Sequence, residues 1–418
     1  MKKFAIIPIL IIATLLSDAQ NTIPLQQVLA EIKTKNPAQK RFDADIRSLD
    51  EAAKGARSWM PPEVGTGFWM VPYNPKYIKG QNGTGGMGQY MISGQQLLPN
   101  RKRQSAEAAY MGTMSSVTKE RREANLNDLV AEAKKNYYQW SVIERKLKVL
   151  AESEKLLDFM IKSAEIRYKN NMGGLNAYYK AKAALGNIHN MRLMQQNEIA
   201  QRRIALNTLM RRDRRQSLDI DTTISIKDYS NIVFDSTTLT AARSDIRAIE
   251  REIEVKSLQQ DLERARLKPE FGIRYEHMFG LGAGVPNQYT LMAMVRIPFA
   301  RWSARGNRAN VESLRWQNTA LGEERAAIVN ESLGMLYSMR TDIDTRKKQL
   351  KVYDEEIIPA LRRNYQTTQI AYEQNTEELF TLFDAWEKLN MTQLEYLDLL
   401  QQLFIMQAEL ERILEIKE

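Results

Sequence analysis

The sequence predicts a mainly α-helical protein with a small β part, built from two copies of a helix–strand–strand–helix–helix unit. Three observations support this fold class. Long tracts rich in helix-forming residues contain almost no proline or glycine, the second half of the chain repeats the first, and each half holds two short segments that are not helical.

The helices are predicted from the distribution of proline. No proline lies between Pro99 and Pro269, and Pro359 is the only one after Pro298. The intervening tracts are rich in Ala, Leu, Glu, Lys, Arg and Gln, which favours very long helices. At a rise of 1.5 Å per residue, the tract from Arg101 to Tyr168 would extend on the order of 100 Å.

The duplication appears when the chain is compared with itself. A shift of 204 positions aligns residues 166–171 with residues 370–375 without a gap. Nearer the start of each half, a shift of 207 aligns Pro62-Glu63 with Pro269-Glu270. We therefore divide the chain into a signal peptide (1–19), a first repeat (20–212), a linker (213–236) and a second repeat (237–418).

Four segments are predicted as strands, at about 63–73 and 87–98 in the first repeat and about 270–279 and 288–299 in the second. Alternation is strict in the last segment and poor from Val64 to Tyr73. A period of two over about ten residues is typical of a transmembrane β-strand. The residues predicted to face lipid are Tyr289, Leu291, Ala293, Val295 and Ile297.

Taken singly, each segment also fits an ordinary strand of a soluble sheet. Recurrence at matching places in a duplicated chain favours the membrane alternative. Four strands cannot close a barrel, and open sheet edges are not tolerated in lipid. We therefore expect the protomer to oligomerise, and three copies would supply an even-numbered barrel of twelve strands.

The start of the chain is predicted to be a secretory signal peptide. Met1, Lys2 and Lys3 precede an apolar run from Phe4 to Leu16, and small residues around Ala19 offer a cleavage site. The run is too short for a transmembrane helix. The mature chain is thus expected to leave the cytoplasm.

Composition argues against several function classes. The net charge of +9 arises from 60 basic residues interleaved with 51 acidic ones, so we expect no nucleic-acid partner. The two histidines, His189 and His277, have no partner motif, and no phosphate-binding glycine loop occurs. We predict no enzyme, no catalytic residues, no cofactor and no metal site. The 19 methionines fit gap-filling in helix cores better than soft-metal binding.

These features together resemble the TolC family of outer-membrane efflux proteins over essentially the whole mature chain. The resemblance lies in a proline-led first strand at Pro61-Pro62 and Lys268-Pro269, and in a second strand that closes on Pro99 or Pro298. It also includes the element Ile357-Ile358-Pro359-Ala360 ahead of Tyr372. Where the family often has glycine three residues after this tyrosine, Asn171 and Asn375 occur, and asparagine also tolerates left-handed backbone.

The resemblance implies a trimeric twelve-strand β-barrel in the outer membrane of a Gram-negative bacterium, standing on a long α-helical barrel in the periplasm. It also implies a passive exit duct of a tripartite efflux system for small toxic compounds or metal ions. The implied partners are a periplasmic adaptor, an inner-membrane pump of the resistance-nodulation-division type and outer-membrane lipid. Residues 172–180 are most similar to the heavy-metal efflux branch. An exported coiled-coil scaffold, a periplasmic adaptor subunit and a type I secretion duct remain as alternatives.

Two breaks in the helical tracts are predicted to be helix–helix turns at the periplasmic tip. The resemblance places adaptor docking there, at Asn171, Met172, Gly173, Gly174, Asn375 and Thr376. Glu377 and Glu378 are candidates for a gate, because threefold symmetry would multiply them into a carboxylate ring. The alternative is that both stabilise the first turn of the last helix.

Two basic clusters follow the closing strand of each repeat: Arg101, Lys102 and Arg103 in the first, and Arg301, Arg305 and Arg308 in the second. Cations at a helix start oppose the helix dipole, so a partner is expected to hold them there. We predict contact with anionic groups at the membrane interface. A solvated first turn without a partner is the alternative.

Overall fold

The computed structural model describes residues 22–80, 85–171, 174–229, 232, 235–298 and 300–416. The predicted signal peptide, as well as Met172 and Gly173, lies outside these residues. The prediction of a mainly helical chain is confirmed.

In the first repeat the elements follow one another from the N-terminus. They are β1 (Thr22–Ile23), α1 (Leu25–Lys35), α2 (Pro37–Lys54), a 3-10 turn (Gly55–Arg57), β2 (Glu63–Trp69), α3 (Lys76–Lys79), β3 (Gln89–Leu98), α4 (Arg101–Lys169) and α5 (Leu175–Leu209). Strand β4 (Asp219–Ile220) follows in the predicted linker. Helix α4 alone contains 69 residues, as the absence of proline predicts.

The second repeat keeps the order helix, strand, strand, helix, helix but has no counterpart of β1, α3 or β4. It consists of α6 (Ser236–Ala242), α7 (Ser244–Ala265), β5 (Glu270–Gly280), β6 (Gln288–Arg296), α8 (Arg301–Val352), a π-helical turn (Tyr353–Ile357), α9 (Ile358–Glu373) and α10 (Leu379–Leu414). The π turn lies just before Pro359, which has no N–H to donate to the carbonyl of Glu355. A wider turn accommodates that missing hydrogen bond.

The strands end earlier than predicted at two places. The segment predicted over 63–73 ends at Trp69, because Met70 adopts a left-handed φ of 51° and Pro72 follows. The segment predicted over 288–299 ends at Arg296, two residues before Pro298. A proline has no N–H for the ladder.

Strands β2, β3, β5 and β6 form one antiparallel sheet in that order. The central pair, β3 and β5, joins the first repeat to the second. Strands β1 and β4 form a separate parallel pair.

The chain divides into two compact units that do not coincide with the repeats. One comprises Met1–Asn36, Asp128–Ile232 and Met339–Arg412, and the other comprises Pro37–Asn127, Val233–Ser338 and Ile413–Glu418. Each unit therefore combines segments of both repeats. The second contains the four-stranded sheet, and the first contains both helix–helix turns.

The core of the first unit is formed where α4, α5 and α10 pack together. Leu157, Met160, Ala181, Leu382 and Trp386 are among its buried residues. These positions lie at three-and-four spacing along their helices, which is the pattern of helices packed on neighbours.

A buried charge network lies in the same unit. Glu411, 4% exposed, accepts hydrogen bonds from Lys134 Nζ at 2.5 Å, Tyr229 Oη at 2.5 Å and Lys227 Nζ at 2.9 Å. Burial alone would raise the pKa of Glu411, but these three donors together lower the pKa below its ordinary value. The network ties α4 and α10 to the segment that follows β4.

Among the described residues, no helix is both long and apolar enough to cross a membrane.

Candidate membrane-facing sheet and helix–helix turns

The strand register sorts the side chains of the sheet onto two chemically different faces. Directly opposite residues of an antiparallel pair point to the same face, and neighbours along a strand point to opposite faces. In the β5–β6 pair, Tyr275 lies opposite Leu291, and Ile273 lies opposite Ala293. The predicted lipid-facing residues of β6 therefore share one face with the aromatic and aliphatic residues of β5.

The same face continues across the other two strands. Tyr90 lies opposite both Phe68 and Phe279, and Ile92 lies opposite Thr66 and His277. The apolar members of this face are Val64, Phe68, Tyr90, Ile92, Leu98, Phe271, Ile273, Tyr275, Phe279, Tyr289, Leu291, Ala293 and Val295. We call this set the apolar face.

The apolar face is exposed over its whole width. Val64 is 77% exposed on the edge strand β2, Phe68 is 71% exposed, and Leu291 is 68% exposed on the opposite edge strand. Two polar residues of this face, Thr66 and His277, contact aromatic side chains of the same face. Thr66 lies 2.7 Å from the hydroxyl of Tyr90, and the His277 ring packs edge-on against Phe279 at 4.4 Å.

The opposite face carries all the Asp, Glu, Lys and Arg side chains of the four strands and most of their other polar ones. It consists of Glu63, Gly65, Gly67, Trp69, Gln89, Met91, Ser93, Gln95, Leu97, Glu270, Gly272, Arg274, Glu276, Met278, Gly280, Gln288, Thr290, Met292, Met294 and Arg296. Arg274 and Glu276 form an ion pair of 2.5 Å on this face, and Glu276 is only 7% exposed.

A sheet with one wide exposed apolar face requires a partner. Contiguous exposed apolar patches of this kind mark protein or membrane interaction sites. Strands β2 and β6 also pair on one side only within the described residues, so both sheet edges present unpaired backbone groups.

In the first basic cluster, Arg103 has an ion-pair partner within the chain. The side chain of Asn100 caps α4 by accepting from the backbone N–H groups of Lys102 at 2.9 Å and Arg103 at 3.4 Å. Arg103 forms an ion pair of 2.5 Å with Glu270. Sequence analysis missed this contact, because it joins positions 167 residues apart.

The other five basic residues of the two clusters are exposed and form no ion pair with any described residue. They are Arg101, Lys102, Arg301, Arg305 and Arg308.

Both helix–helix turns use an asparagine in left-handed backbone. Asn171 and Asn375 each have a φ of 57°, so asparagine replaces the glycine that such turns usually require. The N–H of Asn171 donates to the Tyr168 carbonyl at 3.0 Å, and that of Asn375 donates to the Tyr372 carbonyl at 3.1 Å. The two repeats therefore close their helices with the same turn.

The other two described residues of the predicted turns, Thr376 and Gly174, have roles in the backbone structure of the turns. Thr376 donates to the Ala371 carbonyl through its N–H at 2.9 Å and its hydroxyl at 3.0 Å. Gly174 is the exposed residue directly before α5, with extended backbone.

The two turns are linked by Arg167, which sequence analysis did not single out. Its guanidinium donates to the Tyr372 carbonyl at 2.9 Å and to Asn375 Oδ1 at 2.6 Å. It also lies over the Tyr372 ring, 4.0 Å from the centroid. In the repeat alignment Arg167 corresponds to Ala371. This difference between two otherwise similar turns is the sequence feature that could have identified Arg167.

Glu377 and Glu378 are exposed and precede α10, which begins at Leu379. The alternative that placed both in the first helical turn is therefore wrong by one or two residues. The Glu378 carbonyl accepts from the N–H groups of Thr381 at 3.1 Å and Leu382 at 3.4 Å, as an N-cap residue does. Carboxylates at this position still interact favourably with the helix dipole.

Comparison with known proteins gives fold-level similarity. No protein-family model matches the chain, and no curated protein matches it. Among solved structures, the outer-membrane channel OprN matches with a TM-score of 0.74 at 16% identity, covering 93% of this chain and 89% of OprN. The outer membrane protein VceC of Vibrio cholerae matches with a TM-score of 0.73 at 15% identity, covering 93% of this chain and 95% of VceC.

The open state of the MtrE outer membrane channel of Neisseria gonorrhoeae matches with a TM-score of 0.72 at 14% identity, covering 93% of this chain and 88% of MtrE. Over nearly its whole length, the chain therefore has the fold of these outer-membrane channels.

Proposed function

We propose that the protein is one protomer of a trimeric outer-membrane channel, the passive exit duct of a tripartite efflux system in a Gram-negative bacterium. The observation that carries the proposal is the apolar face, which runs across all four strands and is backed by a polar face. A lipid-exposed outer surface and a water-lined inner surface require this division of side chains. The fold shared with OprN, VceC and MtrE supports the same function.

The two open edges of the sheet require strands from further copies, and the family resemblance supports three copies. Backbone N–H and C=O groups that lack partners are costly in hydrocarbon, so β2 and β6 need strands from other copies. Three copies supply twelve strands, an even number that closes a barrel of the usual kind. The helices of the three copies then form the helical barrel of the duct.

The two turns are proposed to form the site where a periplasmic adaptor docks. They expose Asn171, Gly174, Asn375 and Thr376, and Arg167 holds them together. Glu377 and Glu378 carry exposed carboxylates next to the second turn. Three copies would place six carboxylates around the duct, which favours cations and makes these residues the proposed gate.

The basic clusters are proposed to contact anionic groups of the outer membrane. Arg101, Lys102, Arg301 and Arg305 lie at the starts of the two helices that leave the sheet. Anionic headgroups attract such exposed cations at a membrane surface.

The pump and cargo are proposed on the resemblance of residues 172–180 to the heavy-metal efflux branch. That branch implies an inner-membrane pump of the resistance-nodulation-division type, with metal ions as cargo. A type I secretion system remains a second candidate, because a passive duct shares the specificity of its partners.

Membrane extraction separates this proposal from a coiled-coil scaffold or a periplasmic adaptor. The expected result is a protein that leaves the membrane only with detergent and migrates as a trimer whose mobility changes on heating. Release by salt alone would contradict the proposal, since no lipid contact would then hold the apolar face.

A further inference from the structure

Helix α8 carries an exposed line of residues that differs from the rest of its surface. Starting at Trp302, positions spaced alternately four and three residues apart are all exposed as far as Tyr337. They are Trp302, Gly306, Ala309, Ser313, Trp316, Ala320, Glu323, Ala327, Asn330, Gly334 and Tyr337. We call this set the aromatic stripe.

The aromatic side chains of the stripe are highly exposed to solvent for their size. Trp302 is 86% exposed, Trp316 is 69% exposed and Tyr337 is 58% exposed, and the three are separated by whole heptads. Each large side chain leaves a broad apolar surface in solvent, where burial is favourable by roughly 25 cal/mol per Å². Single exposed apolar residues need no explanation, but a periodic series of aromatic rings does.

Six of the eight stripe residues between the aromatics are Gly, Ala or Ser, the exceptions being Glu323 and Asn330, while the flanks of the same helix are charged. Exposed residues beside the stripe include Arg301, Arg305, Glu312, Glu324 and Arg325. Glycine costs about 1 kcal/mol relative to alanine inside a helix. A Cβ added to Gly306 or Gly334 would meet nothing within 4 Å, so no contact inside the chain requires these glycines.

Alternate spacing of four and three residues is the pattern by which one helix packs along another. Small residues let two backbones approach closely, and aromatic side chains then fill the gaps on either side. The stripe therefore has the form of a helix-packing seam without a partner in the described chain.

A second exposed seam of the same composition lies on α2 and the turn that follows it. Ala44, Ser48, Ala52, Gly55 and Trp59 are all exposed, at spacings of three or four residues. Trp59 is 61% exposed, and a Cβ on Gly55 would also meet nothing within 4 Å. We call this set the α2 seam.

Chain connectivity links the two seams to the two open sheet edges. The α2 seam leads into β2, and α8 leads out of β6. If β6 of one copy pairs with β2 of another, the α8 of the first copy is brought beside the α2 of the second. The two seams also lie at similar distances from the sheet, because Ser48 precedes the start of β2 by 15 residues and Ser313 follows the end of β6 by 17.

Charge supports the same pairing. Asp45 is exposed beside the α2 seam and forms no ion pair with any described residue, while Arg315 is exposed on α8 and lies 3.6 Å from the carboxylate of Glu312 on its own helix. Asp45 precedes β2 by 18 residues and Arg315 follows β6 by 19, so the two charges fall at the same level. Opposite charges beside a helix seam favour one partner and one orientation.

We propose that the aromatic stripe of α8 is the docking surface for the α2 seam of a second copy of this chain. The contact runs between antiparallel helices, with the rings of Trp302 and Trp316 at the levels of Gly55 and Ala44 of the partner. This inference rests on the trimer of the proposed function but assigns it a specific helical interface and the residues that determine it.

Cysteine cross-linking in native membranes tests the contact directly, because the natural chain has no cysteine. The variant Ser48→Cys with Ser313→Cys should yield dimers and trimers on treatment with a short bismaleimide. The matched control is Ser48→Cys with Thr319→Cys, in which the second thiol is exposed on a different side of α8 from Ser313. The control should remain monomeric in denaturing gels.

Two exposed positions of α8 give an independent comparison. Ala309 lies on the stripe, 13 residues after β6 and so level with the residues between Ser48 and Ala52, whereas Thr319 lies off the stripe. The expected result is loss of the detergent-extracted trimer for Ala309→Glu and an unchanged trimer for Thr319→Glu, with equal helix content by circular dichroism. The cross-linking variants keep the test valid if Ala309→Glu does not fold.

The outcomes separate the inference from the proposed function. A natural protein that is trimeric in detergent, but whose Ser48–Ser313 variant cross-links no better than the Ser48–Thr319 control, overturns the docking surface and leaves the channel proposal standing. A natural protein that is monomeric after gentle extraction overturns both.

Discussion

Replacing Leu291 by arginine tests the assignment of the apolar face. Leu291 is the fourth of the nine residues of β6, is 68% exposed and lies opposite Tyr275. An arginine on the lipid face near the bilayer middle costs about 2–4 kcal/mol, and three copies of the barrel would accumulate roughly 6–12 kcal/mol. Since 1.4 kcal/mol is about a factor of ten in an equilibrium, assembled trimer should fall by more than a thousandfold.

Thr290 provides the matched control on the neighbouring position. It belongs to the polar face and lies opposite Glu276, so an arginine there points to water and gains a nearby carboxylate. The assay is the fraction of heat-modifiable trimer extracted from membranes for Leu291→Arg and Thr290→Arg. Equal loss in both variants would refute the assignment of the two faces.

Three further results are expected. Glu411→Gln should destabilise the protein by about 3–5 kcal/mol in denaturant unfolding, because Lys134 is left buried without its carboxylate. The pKa of Glu411 is lowered in the folded state, so ionised Glu411 stabilises the fold above the unfolded pKa of about 4.3. This stabilisation is lost as the pH falls through the lower folded pKa. The unfolding free energy of Glu411→Gln should therefore depend less on pH in this acidic range. Asn375→Val should destabilise the protein by about 1–2 kcal/mol more than Asn375→Gly, since both variants lose the hydrogen bond from Arg167 but only the branched residue is strained at a φ of 57°. Glu377→Gln with Glu378→Gln should reduce the cation preference of single channels in planar bilayers.

Each of these has a result that would contradict it. An unfolding midpoint of Glu411→Gln equal to that of the natural protein would show that the network contributes nothing. Equal stability of the valine and glycine variants at Asn375 would remove the argument from left-handed backbone. Unaltered conductance and selectivity would make Glu377 and Glu378 helix-end residues and place the gate elsewhere.

The long helices and the apolar side of β6 could be predicted because both depend on local patterns. Proline-free tracts define α4, and strict alternation defines residues 288–296. The alternation of β2 was obscured because Gly65 and Gly67 lie on the polar face without being polar. Only pairing with β3 shows that Val64 and Phe68 share one face.

Contacts between distant segments could not be predicted from the sequence. The ion pair of Arg103 with Glu270 joins the two repeats, and a pattern confined to one helix start does not reveal it. The same holds for Arg167, whose importance depends on the position of Tyr372 and Asn375 in the other repeat. The repeats themselves were visible, but the division into two compact units that mix them was not.

Electron cryomicroscopy of the detergent-extracted protein tests the channel proposal most directly. The expected result is a threefold-symmetric particle in which twelve strands surround a pore, with Leu291 on the outside and Thr290 on the inside. A particle with a different number of copies, or one in which the apolar face packs against protein and encloses no pore, would contradict it.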